Sequence, residues 1–245
     1  MGPWTSADGR DSVAVVIPAL DEAGNIAHVV GDILGEGVST VVVVDNGSSD
    51  DTAAVAAAAG AIVVDEPMRG YGQACATGSA EAIRRGADIV VYIDGDRSSR
   101  ADELDRLLEP MASGADLVLG SRVLGTIDAG AMGVHQRFGN WLTAAIMRFL
   151  YAIEVTDLGP YRAIRAELLE RLEMREMTFG WPTEMTVKAA RHGATIVEVP
   201  VTWQQRGSGQ SKVSGTIKGT ILAGWYLLSV TIKHARPIRR SRRKG

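Results

Sequence analysis

Short apolar runs alternate with amphipathic stretches along the first half of the chain. The runs are rich in β-branched residues and about five residues long: Val13–Ile17, Thr40–Val44, Ala61–Val64, Ile89–Ile93 and Leu117–Leu119. Continuous apolar runs of this length are typical of buried parallel strands. Helical spacing predicts helices between them, over Asn25–Leu34, Thr52–Ala59, Gln73–Arg85 and Ala101–Met111. This alternation predicts a doubly wound, mostly parallel α/β sheet flanked by helices.

The second half of the chain has a different pattern. Gly125–Gly133 is rich in glycine and predicts a mobile loop, whereas Arg137–Tyr151 has the spacing of an amphipathic helix. Ile196–Val201 predicts a late strand, and Arg206–Gly215 predicts a second flexible loop. The uncharged stretch Gly219–Ile232 has 14 residues, whereas a membrane span needs about 20. It therefore predicts an interfacial helix within 216–233 instead of a span.

Charge is distributed unevenly along the 245 residues. Seven Lys or Arg and no acids lie between Lys233 and Gly245, so subtracting these seven from the total of −3 leaves −10 on the rest. A basic tail after an apolar helix indicates peripheral contact with an anionic membrane through 216–245. Met1–Asp11 is polar and has no secretory signal pattern, which predicts a cytoplasmic protein, peripheral on the cytoplasmic face of the membrane. No nucleic-acid partner is expected, and a homo-oligomer remains open.

Cysteine and histidine offer little chemistry. Cys75 is the only cysteine, so an intramolecular disulfide and a cysteine-rich metal site are excluded. Its position inside a predicted helix favours a small buried side chain over a nucleophile. The four histidines have no metal-binding spacing, and we assign them no role.

Carboxylates follow three of the predicted strands. Glu22 comes after the first strand, Asp45 ends the second, and Asp94 and Asp96 follow the fourth. In open α/β sheets, ligands bind beyond the carboxyl ends of the strands, so these side chains are expected at one rim. Carboxylate oxygens suit Mg²⁺ or Mn²⁺, which also bind substrate phosphates. Asp94 and Asp96 are therefore the predicted metal ligands.

A glycine-rich segment, Arg69–Ala74, opens the third predicted helix. Glycines let backbone N–H groups approach a phosphate, and a helix N-terminus favours anions. Arg69 adds a charge suited to the same ligand. The segment therefore predicts a phosphate contact next to the metal site.

Taken together, these segments resemble a glycosyltransferase of family 2 with a GT-A fold. The similarity is greatest to the branch of dolichyl- and polyprenyl-phosphate mannose or glucose synthases. The segments that carry the resemblance are Val16–Glu22, Val44–Thr52, Arg69–Ala74, Asp94–Asp96, Gly120–Arg122, Asp157–Arg162 and Glu198–Val201, followed by Arg206, Ser211 and Lys212. They keep the family's order over about Val13 to Ser214.

The resemblance implies a function and a domain organisation. An inverting, metal-dependent hexosyltransferase would take its sugar from a GDP-mannose- or UDP-glucose-type donor and pass it to a polyprenyl phosphate. The implied glycosyltransferase domain covers residues 12–215, after a flexible N-terminus at 1–11 and before the helix and tail at 216–245.

The resemblance also assigns roles residue by residue. The implied donor pocket contains Pro18, Ala19, Glu22, Asp45, Asn46, Arg69, Asp94 and Arg206. Asp94 and Asp96 match the metal and nucleotide carboxylates, and Asp96 is favoured over Asp94 as a direct ligand. Arg122 and Arg137 match arginines that hold an acceptor phosphate. Lys212, with Arg206 and Ser211, matches a loop that closes over donor and acceptor.

Two departures from the family pattern keep alternatives open. Ser98 replaces a frequent amide ligand, and Trp141 replaces a small hydroxyl residue typical of the lipid-phosphate branch. A soluble or hydroxyl acceptor is the first alternative, and it needs a carboxylate base, for which Glu184 and Asp157 are the candidates. A nucleotidyltransferase is less favoured, because Pro18–Glu22 stands where its glycine-rich loop would follow the first strand. A catalytically inactive binding module is disfavoured by the retained charged residues.

Overall fold

The computed structural model describes residues 11–151 and 153–207. Predictions for the N-terminal segment, the interfacial helix within 216–233 and the basic tail lie outside the described residues. The same holds for Ser211 and Lys212. The predicted loop Arg206–Gly215 is described only as far as Gly207.

Seven strands form one mixed sheet. They are β1 (Val13–Ala19), β2 (Thr40–Asp45), β3 (Ile62–Asp65), β4 (Ile89–Tyr92), β5 (Leu117–Ile127), β6 (Arg162–Arg165) and β7 (Ile196–Trp203). Their order across the sheet is β3-β2-β1-β4-β6-β5-β7. All neighbouring pairs are parallel except the two that involve β6, which runs antiparallel between β4 and β5.

Helices cover both faces of the sheet. They are α1 (Ile26–Gly35), α2 (Thr52–Ala58), α3 (Tyr71–Arg84), α4 (Leu104–Ala112), α5 (Val134–Tyr151), α6 (Ala166–Leu172) and α7 (Trp181–Arg191). A single 3₁₀ turn, Ala101–Glu103, precedes α4. The predicted α/β architecture is confirmed.

The apolar strands separate two cores because successive side chains point to opposite faces. Val15 and Ile17 of β1 join the core under α1 and α4. Ala14 and Val16 join the other core, which contains residues of α3, α5 and α7. A strand buried on both faces needs a continuous apolar run, which explains why the alternating pattern of a half-exposed strand is missing.

The predicted loop Gly125–Gly133 begins three residues later than expected. β5 continues to Ile127 and pairs with β7 beyond an irregularity between Ser121 and Thr126, and residues 128–133 then form the loop. A Cβ at Gly125 would lie 2.1 Å from the Val201 carbonyl oxygen, so the glycine permits close approach of two strands. Strand packing therefore explains Gly125, whereas Gly130 lies in the loop with a positive φ of 81°.

The strand order brings the predicted site together. β2, β1 and β4 are neighbours in the sheet and run parallel, so their carboxyl ends lie at one rim. Asp45, Glu22 and the pair Asp94 and Asp96 are therefore delivered to the same edge, as predicted. Within the described residues, no helix is long and apolar enough to cross a membrane.

Candidate active site

A cluster of carboxylates and one arginine lies beyond β1 and β4. The Arg206 guanidinium bonds to Glu22 and lies 3.5 Å from an Asp96 oxygen. The other Asp96 oxygen, Oδ1, accepts hydrogen bonds from the Ser98 amide (2.9 Å) and hydroxyl (2.5 Å). Ser98, which replaces a frequent ligand in the family pattern, therefore orients Asp96.

Asp94 lies deeper in the same cluster. Burial, followed by the charge of nearby Asp96, raises the pKa of its carboxyl to about 7. Arg122 and Arg206 act against this shift. The cluster therefore carries more negative charge than its arginines neutralise.

The donor atoms fit a hard divalent cation. Two carboxylates lie in a partly buried, electronegative site at a strand end, and all their ligand atoms are oxygens. Across the described part of the chain, no three His, Cys, Asp or Glu side chains form a metal cluster. Mg²⁺ commonly binds through one or two carboxylates and completes its shell with substrate phosphates and water. Asp94 and Asp96 match that mode.

Residues on the β2 side hold a loop next to the carboxylates. Asn46 donates through Nδ2 to the carbonyls of Glu66 (2.9 Å) and Met68 (2.8 Å) and accepts from the Gly70 amide (2.8 Å). Arg69 donates to the Gly47 carbonyl at 2.7 Å. Asn46 therefore holds the loop between β3 and α3 against the end of β2, which places Arg69 at the rim.

The glycines of the segment Arg69–Ala74 allow close packing within the protein. The Gln73 amide donates to the Met177 carbonyl (3.1 Å), so this backbone donor of the segment binds protein and not phosphate. A Cβ at Gly70 or at Gly72 would come within 2.3 Å of a carbonyl oxygen in the 176–177 backbone. The glycines permit that backbone to pack against the start of α3, and Arg69 remains the group suited to a phosphate.

Asp157 binds Arg122 on the other side of the site. Arg122 donates through Nε and Nη2 to both Asp157 oxygens, each at 2.7 Å, and through its backbone amide to one of them (2.7 Å). Its guanidinium also lies 4.8 Å from the ring centroid of Trp203. The remaining terminal nitrogen, Nη1, takes part in none of these bonds. Arg122 is thus held rigidly by one carboxylate.

The surroundings of Asp157 keep it charged. Burial favours its neutral form, but the Arg122 guanidinium and the backbone donors outweigh burial and hold the pKa of Asp157 below its usual range. Glu198 on β7 supports the same loop by accepting bonds from the amides of Thr156 (2.9 Å) and Asp157 (3.0 Å). Asp157 therefore anchors a structural network, and its oxygens are engaged.

Glu184 is engaged in the same way. One of its oxygens accepts from the amides of Arg175 (2.9 Å) and Glu176 (2.7 Å), and the other lies 2.9 Å from Lys188 Nζ. The side chain is 1% exposed. It fixes the segment that packs on the start of α3.

Arg137 lies apart from these networks on an exposed surface. It belongs to the first turn of α5 and is exposed, as is Trp141 four residues later, which is 57% accessible. The structure does not bring Arg137 into the contacts that hold Arg122. Its assignment to an acceptor phosphate stays a prediction.

Backbone strain marks the strand ends. Asp21 after β1 has φ 50°, and Arg97 directly after Asp96 has φ 65°. Residues other than glycine rarely adopt this left-handed region, and such residues concentrate at functional sites. At Asp21 the side chain binds the Ser49 amide (2.6 Å), so the strained turn is tied to the end of β2.

Two residues of the resembling segments, to which the sequence assigned no role, support the site. Glu198 holds the loop that carries Asp157, and Arg162 is 1% exposed and donates to the Pro182 carbonyl at 2.8 Å. The signal for Glu198 was present, since a carboxylate inside the apolar strand Ile196–Trp203 needs a partner. Arg162 gave no comparable signal, because its place in the short strand β6 was not predicted.

A mostly parallel sheet with carboxylates and arginines at adjoining strand ends is the arrangement expected of a glycosyltransferase of the GT-A type. The family model for glycosyl transferase family 2 matches residues 14–173, and the chain belongs to this family. The predictions of the family and of the GT-A fold are thereby confirmed.

Relatives with similar sequences include both unassigned and named glycosyltransferases. An uncharacterized glycosyltransferase of Mycobacterium tuberculosis is 38% identical over 217 residues, which cover 87% of this chain and 94% of that protein. A dolichyl-phosphate hexose transferase of Haloferax volcanii is 34% identical and covers 83% of this chain and 87% of its own. An undecaprenyl-phosphate mannosyltransferase of Micrococcus luteus is 35% identical and covers 61% and 63%, respectively.

Solved structures agree with the fold. Glucosyl-3-phosphoglycerate synthase of Mycobacterium tuberculosis, crystallised with Mn²⁺, UDP and glucosyl-3-phosphoglycerate, superposes with a TM-score of 0.74. The match covers 98% of this chain and 87% of that one at 21% identity. At this identity the likeness establishes the shared fold.

Proposed function

We propose that this glycosyltransferase moves a hexose, with inversion, from a nucleoside-diphosphate sugar to a polyprenyl phosphate, with Mg²⁺ or Mn²⁺ at Asp94 and Asp96. The donor is of the GDP-mannose or UDP-glucose type. The names of the Micrococcus and Haloferax relatives, which concern undecaprenyl and dolichyl phosphates, support this acceptor class.

The observation that carries the proposal is the engagement of both candidate bases. A hydroxyl acceptor needs a carboxylate to take its proton, whereas a phosphate acceptor is already ionised at neutral pH. The Asp157 oxygens bind Arg122, and the Glu184 oxygens bind Lys188 and two backbone amides. Using either carboxylate as a base would break a buried network. A phosphate acceptor needs no base, so both networks can stay intact.

On the donor side, the chain supplies both anionic and cationic groups. A bound Mg²⁺ or Mn²⁺, held by Asp94 and Asp96, would neutralise charge on the diphosphate leaving group. Arg69 lies at the rim beside Asn46 and would bind the diphosphate oxygens. Pro18 and Ala19 end β1 at the same rim and would line the nucleotide.

Arg206 links the donor site to the loop that follows β7. Its contacts with Glu22 and Asp96 place a positive charge among the carboxylates. Such a charge would stabilise the diphosphate as the bond to the sugar breaks. Lys212, outside the described residues, is proposed for the same loop.

On the acceptor side, Arg122 would orient the phosphate through Nη1, the nitrogen not used by Asp157. Because Asp157 fixes the guanidinium plane, little conformational entropy remains to be lost on binding. Arg137 would contribute a second positive charge from α5. The phosphate oxygen then attacks the anomeric carbon from the face opposite the leaving group, which inverts the configuration.

The place of the enzyme in the cell follows from the proposed acceptor. A polyprenyl phosphate resides in a membrane, so the enzyme would act as a peripheral protein on the cytoplasmic face. The segment 216–245, apolar and then basic, would contribute to that contact.

A donor and acceptor panel tests the proposal. The full chain is incubated with Mg²⁺, Mn²⁺ or EDTA, a set of GDP- and UDP-sugars, and a polyprenyl phosphate. We expect a glycosyl phospholipid from one donor, formed with metal and lost with EDTA. Transfer to a hydroxyl compound without any transfer to the lipid phosphate would contradict the proposed acceptor while keeping the enzyme class.

A further inference from the structure

Helix α5 carries an exposed apolar face that no described part of the chain covers. Val134 is 83% exposed, Phe138 60%, Trp141 57% and Phe149 88%. Their spacing of four, three and eight residues places them on one side of the helix. The rings of Phe138 and Trp141 are 5.8 Å apart, so they form one continuous surface. We refer to these four residues as the α5 face.

The other side of α5 is already used by the core. Thr143, Ala144 and Met147 are buried, and Met147 belongs to the core under β4 and β5. A helix that is buried on one side normally carries polar residues on the other. The α5 face breaks that rule, and exposed apolar patches of this kind mark interaction surfaces.

Charge limits the kind of partner. Arg137 and Arg148 are exposed on α5, and no Asp or Glu occurs between Ala129 and Ile153. By helical spacing, both arginines lie along one flank of the α5 face. Aromatic residues flanked by arginines, without any acid, match the interface of an anionic bilayer.

Two other occupants fit less well. A second copy of the chain, paired through the same face, would bring its arginines towards those of the first, and α5 has no acid to pair with them. The segment 208–245 of this chain also contains no Asp or Glu, so it offers no charge complement either. The α5 face with its arginines and the segment 208–245 are both basic. Each therefore complements anionic lipid, and neither complements the other.

The position of α5 relative to the site favours the same partner. Asn140, on the inner side of α5, accepts a bond from the Leu158 amide at 3.2 Å. Leu158 directly follows Asp157, which holds Arg122. A helix is about 10 Å in diameter, so a surface in contact with the α5 face lies about one helix away from this network.

We infer that the α5 face is a docking surface for an anionic membrane, with α5 lying in the interface. The four apolar side chains enter the acyl boundary, and Arg148 on the flank contacts lipid phosphates. The purpose of this docking surface is to present the acceptor phosphate near Arg122. Only this purpose rests on the proposed lipid acceptor.

Vesicle binding by the full chain tests the inference. The double variant Phe138→Ser with Phe149→Ser is compared with the wild type in co-sedimentation with phosphatidylglycerol–phosphatidylcholine vesicles. We expect at least about tenfold weaker binding, because apolar burial drives interfacial attachment. The matched control Met68→Ser, which replaces an apolar residue that is 65% exposed in the loop before α3, should bind as the wild type does.

A charge variant distinguishes the electrostatic contribution to vesicle binding from the apolar contribution. Arg148→Gln should weaken binding to the anionic vesicles about fivefold and have little effect with pure phosphatidylcholine. The control Arg171→Gln, at a side chain of α6 that is 56% exposed, should change binding to neither kind of vesicle. Circular dichroism and thermal unfolding establish that all variants are folded.

Three results would overturn the inference. The first is unchanged vesicle binding by the double variant. The second is binding that depends only on residues 216–245 and not on Phe138 and Phe149. The third is a change of oligomeric state without a change in vesicle binding, which would make the face a contact between copies.

Transfer to a short, water-soluble prenyl phosphate keeps the two proposals distinguishable. The double variant should retain wild-type transfer to this acceptor while losing vesicle binding. A wild type that binds vesicles through the α5 face but transfers to no prenyl phosphate would contradict the proposed function and leave the docking surface in place.

Discussion

Asp96 and Asp157 show how surroundings divide one residue type between two tasks. Asp96 lies at a strand end among other carboxylates, and its oxygens face Ser98 and Arg206. Asp157 is fully buried and fastened to Arg122. The first is suited to a cation and a diphosphate, and the second to holding an arginine in place.

For Asp96, we expect Asp96→Asn to lower transfer by about 100-fold or more with the fold intact, because one ionised metal ligand is lost. Initial rates at saturating Mn²⁺, together with a thermal unfolding curve, check this. Asp102→Asn, which removes an exposed carboxylate paired with Arg100, is the control and should keep its rate. Full activity in the Asp96 variant would remove Asp96 from the metal site.

Cys75 is expected to be inert in the native protein. It is fully buried, and burial, followed by the charge of Asp94, raises the pKa of its thiol far above the usual range. Because the thiolate is the reactive form, iodoacetamide should label Cys75 only after unfolding in urea. Mass spectrometry of native and denatured samples measures this, and rapid labelling of the folded chain would contradict the described burial.

For the Arg122 anchor, Asp157→Asn should destabilise the protein by about 3 kcal/mol near neutral pH, because it leaves a largely buried guanidinium without its counter-charge. The pKa of Asp157 is lower in the folded state than the ordinary value of 3.8. The stabilisation is therefore complete above pH 3.8 and is lost as the pH falls through the folded pKa.

Urea unfolding of both proteins between about pH 3 and 7 measures this difference. The wild-type advantage should shrink at the acid end of the range. A difference in unfolding free energy that did not change with pH would show that the charge of Asp157 is not its source.

At the scale of elements, α3 owes its position to a glycine. A Cβ on Gly78 would lie 2.4 Å from Val16 Cγ1 and 2.9 Å from Val44 Cγ2. The helix therefore packs directly on β1 and β2, which fixes the start of α3 and its loop beside the carboxylate rim.

Gly78→Ala should destabilise the fold by about 1–3 kcal/mol, since the added methyl group overpacks a dense core. Gly31→Ala in α1 is the matched control, because no atom lies within 4 Å of the position that its methyl group would take and alanine favours helix. We expect that control to gain about 0.5–1 kcal/mol. Thermal or urea unfolding compares the two, and equal effects would contradict the close packing.

The sequence predicted the regular elements of the first half well, for a physical reason. Buried parallel strands need continuous apolar runs, and β1, β2 and β4 show that pattern clearly. The short antiparallel strand β6 was missed because Arg162 and Arg165 interrupt its apolar character. The extension of β5 was missed because Gly125 has the same appearance in a loop and in a close strand contact.

At the scale of the whole molecule, sheet order converts separate motifs into a site. Residues of β1, β2 and β4 that are far apart in sequence meet because these strands are neighbours. The rim of carboxylates was predictable from this rule. The Arg122–Asp157–Glu198 network was not, because it joins loops and strands through contacts that only the folded structure brings together.

We propose that the acceptor is a phosphate and needs no base from the protein. The most direct test of this proposal compares a polyprenyl phosphate with the polyprenol of the same chain length, under the donor and metal that support transfer. We expect transfer to the phosphate and a rate at least about 100-fold lower for the alcohol, which lacks an ionised nucleophile. Equal or faster transfer to the alcohol would rule out the phosphate as the preferred acceptor and require a carboxylate base.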